Sequence, residues 1–200
     1  MTTQETLKSQ NQPDPLRWYA LYTRSRCERR ITQDLEEKGL ESYAPFHTVV
    51  RQWSDRRKKV QMPLFSCYVF VRTSPQQRMA AIQTDGVAYM VSVKGVPSVV
   101  PDHEIEAIRR VLSTNCDFEP VAYPSVGEIV SVIRGPLAGI SGRIVEYHGT
   151  KRLVIGVAQI KHGISVVVDV HDIVPAVNLG AGRVGASRDL IQSRSPKSLN

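Results

Sequence analysis

The sequence predicts an α+β fold, with helices packed on an antiparallel sheet over residues 16–114, followed by a small five-stranded β-barrel over 124–176. Three observations carry this. The first half runs strand, helix, strands, helix, strand, helix by its periodicities, an order that lays helices on an antiparallel sheet. Beyond residue 124 the pattern changes to short β-branched runs separated by Gly-containing turns. Between the two, 115–123 contains Pro120, lacks periodicity and reads as a linker. The segments 1–15 and 177–200 bury nothing recognisable and read as disordered tails.

Each element has its own local reason. Residues 18–23 alternate aromatic and apolar side chains as a strand does. Ser25 with Glu28 three residues on forms a capping box, Gly39 supplies the stop, and Cys27, Ile31 and Leu35 make the buried stripe of the helix between them. Residues 43–50 are extended and broken by Pro45. The run 62–73 is the most strand-like of the first half, with Leu64, Ser66, Tyr68, Phe70 and Arg72 on one side and Phe65, Cys67, Val69 and Val71 on the other. Both faces are largely apolar, so this strand is either central to a layered fold or keeps one face for a partner.

Ser74-Pro75-Gln76-Gln77 starts a second helix, with Met79 and Ile82 toward the core and Gly86 at its end. Residues 87–93 form a strand, and Asp102 caps a third helix that buries Ile105, Ile108, Val111 and Leu112. The barrel strands are 128–133, 142–147, 152–158, 164–170 and 173–176, and Gly135, Gly139 and Gly142 permit the reversals between the first two.

Of 200 residues, 42% are hydrophobic and 22% charged, as in an ordinary soluble chain. No apolar run approaches the roughly 20 residues of a spanning helix, and the polar start has no signal-peptide core, so the chain is expected in the cytoplasm. Cys27, Cys67 and Cys116 are odd in number and widely spaced, which points to reduced thiols and to neither a disulfide framework nor a metal site. The net charge of +7 is unevenly placed: residues 16–115 hold 16 basic and 10 acidic side chains. A concentrated positive field favours nucleic acid or another polyanion.

Two clusters make up the excess. Arg56, Arg57, Lys58 and Lys59 follow Trp53 against the single acid Asp55, and Arg24, Arg26, Arg29 and Arg30 flank the first helix. Contact with DNA or RNA phosphates and a merely solvated helix flank are both open for the arginines. Trp53 is the one aromatic in the cationic arm, so backbone attraction fits better than base stacking. No phosphate-binding loop, metalloprotease pair or nucleophile elbow occurs, and the five histidines lack ligand spacing; the chain is expected not to be an enzyme and to need no cofactor.

Gln52-Trp53-Ser54-Asp55-Arg56-Arg57-Lys58-Lys59-Val60, followed by Pro63-Leu64-Phe65 and Tyr68-Val69-Phe70-Val71, resembles the NusG family of transcription elongation factors, most of all its specialised paralogues of the RfaH and UpxY type. The stretch 127–142 likewise resembles the KOW motif, so the resemblance implies an NGN-like domain followed by an SH3- or Tudor-like KOW barrel. It further implies a monomeric, operon-specialised antitermination factor that suppresses pausing, and binding to the clamp helices of the largest RNA polymerase subunit through Tyr22, Tyr68 and Phe70. Without it, the favoured reading of Tyr68 and Phe70 is burial under a helix of the same domain.

Leu137 and Ile140 occupy the KOW loop that in general NusG proteins docks on a termination factor or a ribosomal protein. Ser66-Cys67 departs from the Pro-Gly or Pro-Asn that most of the family places before the strand tyrosine. The alternative function is a general nucleic-acid or ribosome-associated module. The β-branched content of 129–133 and 164–168 disfavours helix, so the carboxy-terminal domain is expected to be β in the resting protein, mobile behind its linker, with the Tyr68 and Phe70 face uncovered.

Overall fold

The computed structural model describes residues 14–53, 56–114, 116–147 and 149–176. Residues 1–13 of the expected tail 1–15 and the whole of the expected tail 177–200 lie outside the described residues, as do Ser54 and Asp55 of the cationic arm. In chain order the elements are β1 (Arg17–Thr23), α1 (Glu28–Glu37), β2 (Glu41–Tyr43), β3 (Phe46–Gln52), β4 (Arg57–Pro63), β5 (Tyr68–Thr73), α2 (Arg78–Ile82), β6 (Val87–Met90), β7 (Ser92–Val93), β8 (Val96–Pro97), β9 (Val99–Val100) and α3 (Asp102–Ser113). After them come β10 (Phe118–Ala122), β11 (Ile129–Val132), β12 (Ser141–Tyr147), β13 (Thr150–Val157), β14 (His162–Val167) and β15 (Ile173–Pro175).

The first sheet is antiparallel, in the order β2-β5-β1-β6, with β9 also paired to β1. Alternation along β1 and β5 divides its two faces. Tyr19, Leu21, Val69 and Val71 pack with Ile31 and Leu35 of α1, while Trp18, Ala20 and Phe70 pack with Ile105, Ile108 and Val111 of α3. A strand apolar on both sides is therefore central, with a helix on each face.

Details differ from expectation for physical reasons. The run 62–73 is two elements: β4 ends at Pro63, and the turn through Cys67, whose φ is +67°, starts β5. Glu28 does not box with Ser25; α1 begins after Cys27 without a side-chain cap, and the Glu28 carboxylate is drawn inward to a backbone N–H of that turn. Met79 is 57% exposed, because α2 is a single short helical turn that buries only Ala81.

The second sheet has six strands where five were expected, in the order β10-β14-β13-β12-β11-β15, all antiparallel. The additional strand is β10, inside the segment expected to be a linker. Pro120 hides it from sequence reading, yet β10 is an edge strand, where a missing N–H costs no ladder bond. At the β13–β14 pair Gly156 faces Gly163, and a Cβ at Gly156 would lie 2.4 Å from the His162 carbonyl oxygen and 2.8 Å from the Tyr123 ring. The strands approach there more closely than any side chain allows.

The two sheets share one core. Trp18, Phe65 and Phe70, the buried face of α3, and Leu153, Ile155 and Ile164 of the second sheet form a continuous apolar cluster. This overturns the expected mobile tether. With 118–122 paired into the second sheet, only residues 114–117 separate α3 from β10.

Candidate functional site

Antiparallel register sets Tyr22 of β1 opposite Tyr68 of β5 and opposite Tyr89 of β6. The Tyr22 and Tyr89 rings stack with centroids 5.0 Å apart, and Tyr68 meets Tyr22 edge-on at 5.3 Å. Tyr89 is 51% exposed, so the cluster opens to solvent at that end. Burial first, and then the neighbouring Tyr89 and Tyr22, raises the Tyr68 phenol above its ordinary range, keeping it a neutral donor.

The turn before Tyr68 is held from both sides. The Cys67 N–H donates to Glu28 Oε1 at 2.8 Å, and its carbonyl accepts from the Thr23 N–H at 2.8 Å. Glu28 is 3% exposed, so this charge-assisted contact is shielded from water. The left-handed backbone that glycine or asparagine adopts readily is thus kept here with a cysteine.

Of the three aromatic residues expected to form one surface, the structure brings Tyr22 and Tyr68 together and places Phe70 elsewhere. Phe70 is 0% exposed, stacked on Tyr43 at 6.4 Å and met edge-on by Phe65 at 6.3 Å. Tyr68 is partly buried, with His162 of β14 5.6 Å from its ring and 6.1 Å from that of Phe65. The expectation of an uncovered face is corrected, because the second sheet packs against it. Tyr89 escaped sequence reading although the alternation of 87–93 marks a strand, since nothing in the sequence announces which strand pairs with β1.

The cationic residues divide as well. β3 and β4 form a separate two-stranded ribbon that carries Arg57, Lys58 and Lys59, with Lys58 opposite Arg51 on one face and Arg57 and Lys59 on the other. At its tip Trp53 is 54% exposed, and its N–H donates to the Arg56 carbonyl at 2.8 Å. Arg57 Nε donates to Gln52 Oε1 at 3.0 Å, while Lys58 and Lys59 are exposed. At the base of the ribbon Arg29 of α1 lies over the Phe46 ring at 4.6 Å and donates to Gln61 at 3.0 Å. Arg30 pairs with Asp85 at 2.8 Å and Arg24 approaches the same carboxylate at 4.0 Å; Arg30 holds Asp85 below the usual carboxylate range. Arg26 is exposed, with φ +63°. Three of the four arginines around α1 therefore have structural partners, and the ribbon presents the exposed Lys58 and Lys59.

Leu137 and Ile140, expected to offer a partner-binding loop, are 6% and 5% exposed and belong to the shared core. The loop folds back on itself: the Gly139 N–H donates to the Val132 carbonyl at 2.7 Å and the Ile140 N–H to that of Leu137 at 3.0 Å. Positive φ at Gly135 and Gly139 makes this reversal possible.

Comparison with known proteins follows the same division. The family model described as transcription termination factor NusG matches residues 16–109, the first sheet and most of α3. A transcription termination/antitermination protein NusG from Pseudomonas aeruginosa is 28% identical over 148 residues, covering 68% of this chain and 84% of that one. The protein of the same name from Rickettsia bellii is 24% identical over 166 residues, covering 77% and 87%. Among solved structures, one described as domain interaction in Thermotoga maritima NusG covers 81% of this chain and 98% of its own at 21% identity, with a TM-score of 0.43. Over residues 16–109 this chain matches the NusG family, and it is similar to the curated NusG proteins over about two thirds of its length or more.

Proposed function

We propose that this chain is a non-catalytic transcription elongation and antitermination factor that binds RNA polymerase through the Tyr22, Tyr68 and Tyr89 cluster. The observation that carries this reading is the cluster itself: three register-aligned tyrosines in a family domain, open to solvent at Tyr89. Large, rigid aromatic side chains with a polar end suit the centre of a protein interface, and a helix tip such as the clamp helices of the largest polymerase subunit matches so small a patch. Specialisation to particular operons is part of the proposal.

The second sheet, read here as a KOW domain, covers Tyr68 through His162. Polymerase binding then requires it to leave, so the docked arrangement is the resting form. Once released, the domain is free to meet a ribosomal protein or termination factor, by a surface other than the buried Leu137 and Ile140. The β3–β4 ribbon adds contacts to nucleic-acid phosphates beside the polymerase, without reading bases.

The test is a titration of the full-length chain against core RNA polymerase, with Tyr89→Ala and Tyr68→Ala alongside. Binding weakened by both variants supports the assignment. Binding to nucleic acid alone, with no polymerase complex, would favour a general nucleic-acid module.

A further inference from the structure

Among the described residues, polar contacts between the two sheets meet where β9 runs into α3. Gln159, in the turn between β13 and β14, donates from Nε2 to the Val99 carbonyl at 2.9 Å. From the same turn the Ala158 amide approaches the Glu104 carboxylate as a donor. Glu104 Oε2 is buried and, among the described residues, has no hydrogen-bond partner; the same holds for Gln159 Oε1 and Arg143 Nε. A cavity of about 240 Å³ has Glu104 and Arg143 in its lining, with His103, Tyr123 and Ala158. A carboxylate confined in this way has lost water on one oxygen and gained nothing for it, a cost that a proton removes.

We propose that Glu104 is a proton-operated latch between the two domains: the docked arrangement holds its carboxyl in the neutral form, and ionisation loosens the second sheet from α3 and uncovers the Tyr68 face. Burial is the dominant influence on the group, raising its pKa from the ordinary 4.5 to about 7, and the Ala158 amide offsets this only in part. The sign follows from linkage. The docked state binds the proton more tightly, so docking is favoured below the ordinary glutamate range and that advantage is lost as pH rises through about 7.

Other charged groups at the seam do not reverse this. Arg143 of β12 donates to the Gly127 carbonyl at 2.8 Å and lies over the Tyr123 ring at 6.0 Å; His103 is on the same helix as Glu104. On α3, Asp102 pairs with Arg72 at 3.5 Å and Glu106 with Arg109 at 2.8 Å. Ala158 and Gln159 bring no titratable side chain, and β9 presents the Val99 carbonyl. His47 acts in the opposite sense: its ring meets Phe118 of β10 at 5.8 Å, its Nδ1 is buried without a partner among the described residues, and burial lowers its pKa. Acid below the ordinary histidine range therefore works against docking through His47, whereas a rise above neutrality acts through Glu104.

The latch rests on the reading of the docked form as the resting state, and its test separates the two. The Glu104 carboxyl of the full-length chain is titrated by carbon NMR from about pH 5.5 to about pH 8.5, while small-angle scattering follows the overall size. Glu104 is expected to titrate near neutrality, over the interval in which the molecule expands. The docking constant then changes by at most tenfold per pH unit, as one proton allows. Glu104→Gln, neutral at every pH, is expected to remain compact throughout. Titration of Glu104 in the ordinary glutamate range, a size independent of pH, or a Gln variant that opens with the wild-type profile would each overturn the latch. Polymerase binding is measured separately: opening with pH and no accompanying gain in binding refutes the covered polymerase face and leaves the latch standing.

Discussion

The backbone N–H of Cys67 donates to the Glu28 carboxylate at 2.8 Å, and through this contact α1 holds the turn from which β5 begins. A left-handed conformation costs an ordinary residue about 1–2 kcal/mol, so the turn is strained at Cys67 and stabilised at Glu28. Cys67→Gly is expected to raise the unfolding free energy by about 1 kcal/mol. Glu28→Ala, which leaves this part-buried N–H without its partner, is expected to lower it by about 1–2 kcal/mol. Urea denaturation measures both; a Cys67→Gly variant less stable than wild type would show that the strain is absent.

Phe70 and Tyr89 should respond oppositely to truncation. Phe70→Ala empties part of the shared core and is expected to cost about 3–5 kcal/mol of stability. Tyr89→Ala removes a half-exposed ring and should leave the melting transition within a few degrees of wild type, while weakening polymerase binding roughly thirtyfold. Equal loss of stability in the two variants would place Tyr89 in the core rather than at an interface.

On the ribbon, Lys58 and Lys59 are expected to act through charge alone. Reversing both to glutamate should reduce the salt dependence of binding to an elongation complex by about one unit of slope for each phosphate contact removed, with no change in the sequence preference of the nucleic acid. A slope identical to that of the wild-type chain returns the ribbon to a solvated projection.

Gly156→Ala is expected to disrupt the second sheet. Its methyl group would lie 2.5 Å from the Cα of Gly163 and 2.4 Å from the His162 carbonyl, backbone atoms that cannot rotate away. A loss of about 3 kcal/mol or more is expected in the same denaturation experiment. Because His162 also touches Tyr68, the variant should bind polymerase more readily, provided the first sheet survives.

Local structure was largely legible in the sequence. Periodicity marked all three helices and most strands, and the alternation of Val69, Phe70 and Val71 divided the two faces of β5 correctly. What escaped were relations between distant residues. Glu28 has the spacing of a capping box with Ser25, and only the folded chain reveals that the Cys67 amide competes for the same carboxylate. Pro120 argues against a strand until its strand is known to lie at an edge. Phe70 and Ile140 are apolar whether they meet solvent, a partner or each other's domain, and docking of the two sheets has no periodic signature.

The stretch 114–117, all that joins α3 to β10, spans at most about 14 Å when fully extended. A domain on so short a leash cannot diffuse away from the face it covers; its effective concentration there is in the millimolar range. A polymerase helix tip present at far lower concentration therefore competes against a rival that is always nearby, and its apparent affinity is scaled down by the small fraction of time the face stands open. Any lengthening of this connector that leaves both sheets intact would raise the chain's affinity for its partner without altering a single contact between them.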